Sequence, residues 1–124
     1  MATSEYTLVI PWARPPLTSN DQRRASWHKV RAAKLEVESM IYWLCKQQKV
    51  PELAPSTISV VWFAPNRRTR DNDALAPFLK AAKDGLVKAG VFVDDSSEWI
   101  TDDHMAINTT QPTKPRIEVR ITEN

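Results

Sequence analysis

A helix with clearly marked ends constrains the fold of this 124-residue chain more than any other feature. Between positions 74 and 90, apolar side chains recur at steps of three and four residues, which places them on one helix face. They are Leu75, Phe78, Leu79, Ala82, Leu86 and Ala89. Asp73, a favoured cap residue, and Pro77 mark the start, and Gly90 marks the end. The pattern predicts a helix of about 15 residues, roughly 22 Å long. Gly85 in its interior is unfavourable by roughly 1 kcal/mol, and one interpretation is close packing.

Pairs of aspartates stand at both ends of this predicted helix. Asp71 and Asp73 precede it, and Asp94 and Asp95 follow it after the apolar run 91–93. Carboxylates two residues apart in an extended segment point to one side. If the apolar run brings the chain back, three or four carboxylates converge, and carboxylate oxygens with retained waters are what Mg²⁺ prefers. The alternative is structural, with the first pair capping the helix and the second in a surface turn, because both patterns are short and common.

Arginines lie immediately before the first aspartate pair. Arg67, Arg68 and Arg70 carry planar guanidinium groups that match phosphate geometry, whereas bare carboxylates would repel a phosphate. The combination indicates a metal-dependent site that acts on a phosphodiester. The alternative is a solvated loop with internal Arg–Asp pairs, which contribute little at a surface.

The distribution of charge says more than its sum, which is only +2. Residues 1–34 hold six basic and two acidic side chains, and residues 94–103 hold five acidic side chains and no basic one. A basic approach surface beside an acidic pocket favours a nuclease over a general DNA coat protein. Candidate contacts to a phosphate backbone precede position 25, and the alternative for them is a stiff surface loop and a solvated helix face. They are Arg14, Thr18, Asn20, Arg23 and Arg24.

Length and composition predict one domain, residues 1–124, with a modest core. Cys45 is the only cysteine, so a disulfide or a thiolate zinc site within one chain is excluded, and we expect it to be buried. The sequence has no signal peptide and no apolar run long enough to cross a membrane, which favours an intracellular location.

The remaining elements follow from periodicity. The pattern over residues 21–48 predicts one long helix. We expect its apolar stripe, extended by Trp27, to lie in the core. The neighbouring His28 is either structural or a DNA contact. Strands are predicted at 6–10, 57–63, 99–109 and 116–122, the third with a polar middle. The sum is an α+β domain with the order β-α-β-α-β-β and two helices on one face of a mixed sheet.

The stretch from 67 to 95 resembles the signature of the RusA-type Holliday-junction resolvases, small metal-dependent endonucleases of phages and bacteria. That family has a basic run, Asp-x-Asp, a helical lysine, an Ala-Gly turn and a closing Asp-Asp. Here they read Arg67-Arg68-x-Arg70, Asp71-Asn72-Asp73, Lys80, Lys88-Ala89-Gly90 and Asp94-Asp95. The family's opening strand, Pro-rich turn and Asn match Tyr6–Ile10, Pro11-Trp12, Pro15-Pro16 and Asn20. Ala74 stands where the family commonly has Asn, and the lysine lies farther from the aspartate pair, which leaves Lys83 as the alternative to Lys80.

The resemblance implies a RusA-like fold and a Mg²⁺-dependent, structure-selective endonuclease, with Mn²⁺ as a substitute. Such enzymes resolve four-way DNA junctions by paired nicks, in DNA recombination and repair, as homodimers in a bacterial or host cytoplasm. It implies metal binding by Asp71, Asp73 and Asp95, with Asp94 in reserve, and a catalytic role for Lys80. DNA binding would involve Arg67, Arg68, Arg70 and Lys83 besides the earlier basic residues. Two alternatives stay open: a nuclease for forks, flaps or single strands, and a non-catalytic DNA-binding module.

Overall fold

Four strands and three α-helices alternate in the computed structural model, which describes residues 4–124. Along the chain they are β1 (Glu5–Ile10), α1 (Ser19–Arg24), α2 (Trp27–Gln48), β2 (Ser56–Phe63), α3 (Ala76–Lys88), β3 (Ile100–Asn108) and β4 (Arg116–Glu123). A short 3₁₀ helix, Asn72–Leu75, leads directly into α3. All four predicted strands are confirmed.

The strands form one mixed sheet in the order β1-β4-β2-β3. Strand β4 is antiparallel to both of its neighbours, whereas β2 and β3 are parallel. Two parallel strands require a long crossover, and α3 with its flanking segments supplies it. The predicted α+β class is therefore confirmed, and the stretch from Arg67 to Asp95 is the crossover itself.

One hydrophobic core joins the sheet to the helices. Alternate residues of the strands are fully buried, among them Leu8, Ile58 and Val119. They belong to the same cluster as Ile41 of α2 and Phe78 of α3. The intervening strand residue Val9 is 45% exposed, which is the pattern of a sheet covered by helices on one face.

The predicted single helix over 21–48 is wrong, because the chain breaks at Ala25 and Ser26. Both residues are extended, and the Ser26 side chain accepts a bond from the Lys29 amide that caps α2. Trp27, expected in the core stripe, is instead 65% exposed. It is the first residue of α2, and the first buried residue of that helix, Val37, comes almost three turns later.

Helix α3 begins two residues later than its predicted cap residue, Asp73, indicated. Asp73 lies inside the 3₁₀ helix, and the residue at the N-cap of α3, Leu75, makes no side-chain capping bond. Pro77 occupies the first turn as expected. At the other end Gly90 has φ = 82°, the left-handed conformation that the sequence predicts.

Close packing explains the glycine inside α3. A Cβ on Gly85 would lie 2.8 Å from the Ile41 Cβ and 3.0 Å from the Glu38 carbonyl oxygen, both on α2. After Gly90, Val91 and Phe92 are buried and turn the chain back toward the core. The Val91 carbonyl accepts a 2.9 Å hydrogen bond from the Leu53 amide.

Cys45 is buried as expected, and burial raises the pKa of its thiol to about 11. No helix among residues 4–124 is both long and apolar enough to cross a membrane.

Candidate functional site

An open groove with a volume of about 710 Å³ lies where the carboxyl end of β2 meets the N-terminal end of the crossover. Its walls carry four guanidinium groups and the first aspartate pair. They are Arg14, Arg23, Arg68, Arg70, Asp71 and Asp73. We call it the arginine groove. It is larger than the second groove, which lies after α3 and is described below.

Hydrogen bonds between distant segments hold the walls of the arginine groove together. The Trp62 indole N–H, at the end of β2, donates to the Ala13 carbonyl at 2.9 Å. The Ser19 hydroxyl, at the start of α1, donates to the Asp73 carbonyl at 3.0 Å. The Ile107 amide donates to the Asn72 Oδ1 at 3.2 Å, which fixes the 3₁₀ helix beside β3. The proline-rich loop predicted to approach DNA is therefore attached to the aspartate-bearing turn.

Arg70 orders the loop that carries the arginine run. Its guanidinium donates to the Asn66 Oδ1 at 2.6 Å and to the Arg68 carbonyl at 2.9 Å. It also lies 4.8 Å from the centroid of the Trp62 ring, a favourable cation–π geometry. Arg68 lines the groove beside it, whereas Arg67 is exposed outside the groove lining. Arg70 thus presents a positive charge in a fixed position.

The side chains of Asp71 and Asp73 differ from that of Asp21, the third aspartate in the arginine groove, which is paired with Arg14. Asp71 is extended, but Asp73 lies in the 3₁₀ helix, so the predicted extended Asp-x-Asp geometry is not formed. Both side chains are exposed, and within residues 4–124 neither carboxylate accepts a hydrogen bond or forms an ion pair. Asp71 and Asp73 therefore neither cap a helix with their side chains nor pair with the neighbouring arginines, the two structural alternatives that the sequence left open. The charge of both carboxylates remains available to a ligand.

The second aspartate pair lines a different groove, of about 260 Å³, at the far end of α3. We call it the acidic groove. Its charged lining residues are Glu38, Asp84, Lys88, Asp94 and Asp95, and it shares no lining residue with the arginine groove. Across the described part of the chain, no three His, Cys, Asp or Glu side chains come close enough to hold a metal ion together. The expected convergence of three or four aspartates is therefore not seen.

Lysines of α3 pair with carboxylates of α2, of α3 itself and of the segment that follows α3. The Lys80 ammonium donates to Asp84 at 3.2 Å and also to Asp95. The bond to Asp95 raises the pKa of Lys80, and the same bond lowers the pKa of Asp95. Lys88 pairs with Glu38 at 2.6 Å. The structure thus brings together Lys80 and Asp95, two residues that the family resemblance singled out.

Lys83, the alternative lysine, has a different partner. Its side chain is only 17% exposed and forms an ion pair with Asp103 of β3. Asp103 is not among the site residues that the sequence predicts, although it lies in the polar middle of the predicted strand 99–109. Lys83 is turned toward the sheet, so its predicted contact with DNA has no support from this geometry.

Asp94 occupies a tight surface turn. Its carboxylate accepts a 2.8 Å hydrogen bond from the Ser96 amide, and bonding to Ser96 lowers the pKa of Asp94. For this aspartate the structural interpretation as a turn residue is confirmed.

The early basic residues surround the mouth of the arginine groove. Arg14 pairs with Asp21 at 3.0 Å, and Arg23 donates to the Asn20 side chain at 2.5 Å. Burial acts to raise the pKa of Asp21, but bonds from Thr18 and Arg14 outweigh it and hold that pKa low. Arg24 is exposed.

Comparison with known proteins gives no family: no family model matches this chain, and no curated protein matches it. The function has to be inferred from the chemistry of the site.

Proposed function

We propose that this chain is a Mg²⁺-dependent, structure-selective DNA endonuclease of the RusA type, which resolves four-way junctions by paired nicks in recombination and repair. The observation that carries the proposal is the arginine groove, in which two unpaired carboxylates lie among four guanidinium groups. A phosphodiester with a divalent cation is the ligand class that satisfies both sets of charges.

The groove residues divide the binding of a DNA strand between them. Arg68 and Arg70 lie at the aspartate turn, where they would hold the phosphates beside the scissile bond. Arg14 and Arg23, on the facing wall, would hold flanking phosphates. Guanidinium groups suit this role because their donors match two phosphate oxygens at once.

Asp71 and Asp73 fit a magnesium ion that is bound only when substrate is present. In phosphoryl-transfer sites Mg²⁺ commonly uses one or two carboxylates, several waters and the substrate phosphate. Two exposed carboxylates in one groove meet that requirement without a cluster of three. A bound Mg²⁺, or Mn²⁺ in its place, would lower the pKa of a coordinated water and stabilise charge on the reacting phosphate.

Lys80 and Asp95 form the supporting part of the proposed site. Asp84 and Asp95 hold the Lys80 ammonium in its charged form on the exposed side of α3. From there it would add positive charge near the leaving oxygen. In this arrangement Asp95 positions Lys80 and is not itself a metal ligand.

Paired nicks require two active sites, so we propose a homodimer with one arginine groove in each subunit. The enzyme would act in the cytoplasm of a bacterium, or of the host if a phage encodes it.

One observation favours a second candidate, a non-catalytic DNA-binding module. Asp94 and Asp95 lie outside the arginine groove, and Asp21 within it is paired with Arg14, which leaves only two carboxylates there for a metal ion. Such a module would bind DNA in a salt-sensitive manner, indifferent to Mg²⁺ and to the loss of Asp73.

The direct test is incubation of the purified protein with a labelled mobile four-way junction and with a linear duplex of the same sequence. Each DNA is run with Mg²⁺ and with EDTA. The proposal predicts symmetric nicks in the junction alone, lost with EDTA. Binding without nicks under Mg²⁺ or Mn²⁺ would contradict it and support the module. Replication forks, flaps and single strands in parallel lanes separate a junction resolvase from a nuclease with another preferred substrate.

A further inference from the structure

An exposed aromatic pair stands at the start of α2. Trp27 is 65% exposed, and its ring stacks on the ring of His28 with 3.9 Å between centroids and 29° between planes. The indole is large and apolar, and such a side chain is usually at least half buried. Contact with His28 stiffens the indole while leaving most of its surface open.

The surroundings of this pair are basic without interruption. Between Gln22 and Leu35 the chain contains no acidic residue. Five basic side chains fall in that interval: Arg23, Arg24, Lys29, Arg31 and Lys34. Within residues 4–124 none of the five forms an ion pair. The uncompensated charge favours a polyanion over a protein partner with a mixed surface.

The aromatic pair lies a few residues along the chain from the wall of the arginine groove. Arg23 and Asn20 line that groove, and Arg23 precedes Trp27 by four residues. Their Cα atoms are therefore no more than about 14 Å apart, roughly two nucleotide steps of extended DNA. Trp27 is therefore within reach of a strand whose phosphates contact Arg23.

We propose that Trp27, stiffened by His28, is a stacking platform for an unpaired base next to the phosphates held in the arginine groove. The inference rests on the proposed binding of DNA in that groove and names the feature recognised there. A flat aromatic face beside a basic track is how proteins hold single-stranded nucleic acid. Bases inside a continuous duplex have both faces covered by neighbours, so only a branch point, bulge or single strand offers a free face. The platform therefore supplies selectivity for branched over linear DNA.

The chain offers a matched control in a second exposed tryptophan. Trp43 is 67% exposed on the same helix, in edge contact with Tyr42. It lies about 24 Å farther along α2, away from the groove. Loss of its ring removes a similar apolar area without touching the proposed platform.

The test is fluorescence anisotropy in EDTA, which prevents cleavage. Three labelled DNAs are titrated: a linear duplex, the same duplex with one central unpaired adenine, and a four-way junction. For Trp27→Ala we expect affinity for the bulged duplex to fall about tenfold, typical of one lost base–aromatic stack. Affinity for the junction should fall in the same direction, and affinity for the linear duplex should change less than about twofold. The salt dependence should be unchanged, because no charge is removed.

Two variants complete the test. Trp43→Ala should bind all three DNAs like the wild type, and Trp27→Phe should recover most of the lost affinity for the bulge. An equal loss on all three DNAs, or no loss on the bulge, would overturn the platform. Wild-type protein that binds no DNA would overturn both the platform and the proposed function.

Nicking with Mg²⁺ in the same preparations separates the two proposals. If the wild type nicks junctions and Trp27→Ala binds the bulge normally, the platform fails and the nuclease stands. If Trp27→Ala loses only the bulge and the wild type never nicks, the platform stands and the nuclease fails.

Discussion

The two ends of helix α3 carry similar residues in opposite electrostatic states. At its N-terminal end, Asp71 and Asp73 lie unpaired beside guanidinium groups in the arginine groove. After the helix, Asp95 comes back beside Lys80 in the first half of α3 and is bound by it, while Lys88 in the last turn binds Glu38 of α2. Both ends follow from the same kind of motif, an acidic pair with basic neighbours.

The difference distinguishes charged side chains that hold the fold together from charged side chains that are free to bind a ligand. The pairs made by Lys88 and Lys80 connect α3 to α2 and to the turn before β3, so they hold segments in place. Before the helix, Arg70 donates to Asn66 and Arg68 of its own loop, and the carboxylates of Asp71 and Asp73 are left free. Free carboxylates beside fixed arginines are suited to bind a cation and a phosphate together.

The largest expected effect is the loss of nicking when one of the unpaired aspartates is changed. Asp73→Asn should reduce junction nicking by at least about 100-fold, the scale seen when one group that stabilises transition-state charge is lost. Junction binding in EDTA should persist, since the change removes a charge that repels DNA. The nicking rate and anisotropy of one preparation measure both.

Asp102→Asn is the control for this change, because Asp102, which lies 3.1 Å from His104, is 64% exposed on the edge strand β3 and lines neither groove. Equal rate losses in the two variants, or joint loss of binding and nicking in folded Asp73→Asn, would count against the metal assignment.

The next largest effect is on stability, through the close packing of α3 against α2. Gly85→Ala would bring a Cβ to 2.8 Å from Ile41. We expect the free energy of unfolding to fall by about 1–3 kcal/mol, although alanine is the better helix former. Urea denaturation measures it. Gly90→Ala provides a contrast, because no atom lies within 4 Å of its Cβ and only the positive φ is strained, a loss of about 1 kcal/mol. An unchanged or raised stability for Gly85→Ala would show that α2 and α3 are not in close contact.

Lys80 links the paired end to the proposed chemistry. Lys80→Ala should lower the turnover of junctions by about tenfold with little change in affinity, as expected for a charge that acts in the transition state. Single-turnover nicking at saturating protein isolates that step. Lys83→Ala should mainly lower thermal stability, because it leaves Asp103 without its partner. A normal rate for Lys80→Ala with a slow Lys83→Ala would transfer the role to Lys83.

The smallest effect is the pH dependence of the Lys80–Asp95 pair. The pKa of Asp95 is lowered from 3.8, so the contribution of this carboxylate is present above that pH and is lost as pH falls. The pKa of Lys80 is raised from 10.5, so its contribution is present below that pH and is lost as pH rises. Both side chains are partly exposed, so each contribution is no more than about 1 kcal/mol. In Asp95→Asn, the melting temperature should depend less on pH at both the acidic and the basic end of its pH profile. A profile identical to that of the wild type would show that the pair does not stabilise the fold.

Local patterns predicted the elements of this fold well. The alternation of Ile117, Val119 and Ile121 with charged residues defines β4, and Gly90 defines the end of α3, because both signals act within a few residues. The break before α2 was missed because the Ser26 cap competes with a continuous apolar stripe.

The sequence does not predict that the two aspartate pairs lie in separate grooves, because spacing along the chain does not fix which groove a side chain enters. The prediction that Trp27 lies in the core is wrong for a related reason, because periodicity gives the helix face on which a residue lies but not where the sheet beneath that helix ends.

A cation bound by Asp71 and Asp73 can be located by NMR, with Mn²⁺ as the paramagnetic probe on isotope-labelled protein in the presence of uncleaved junction DNA. We expect selective broadening of the amide signals around Asp71, Asp73 and Ser19, and no such broadening in Asp73→Asn. Broadening centred on Asp94 and Asp95 in the acidic groove would contradict it, as would the absence of any site-specific broadening.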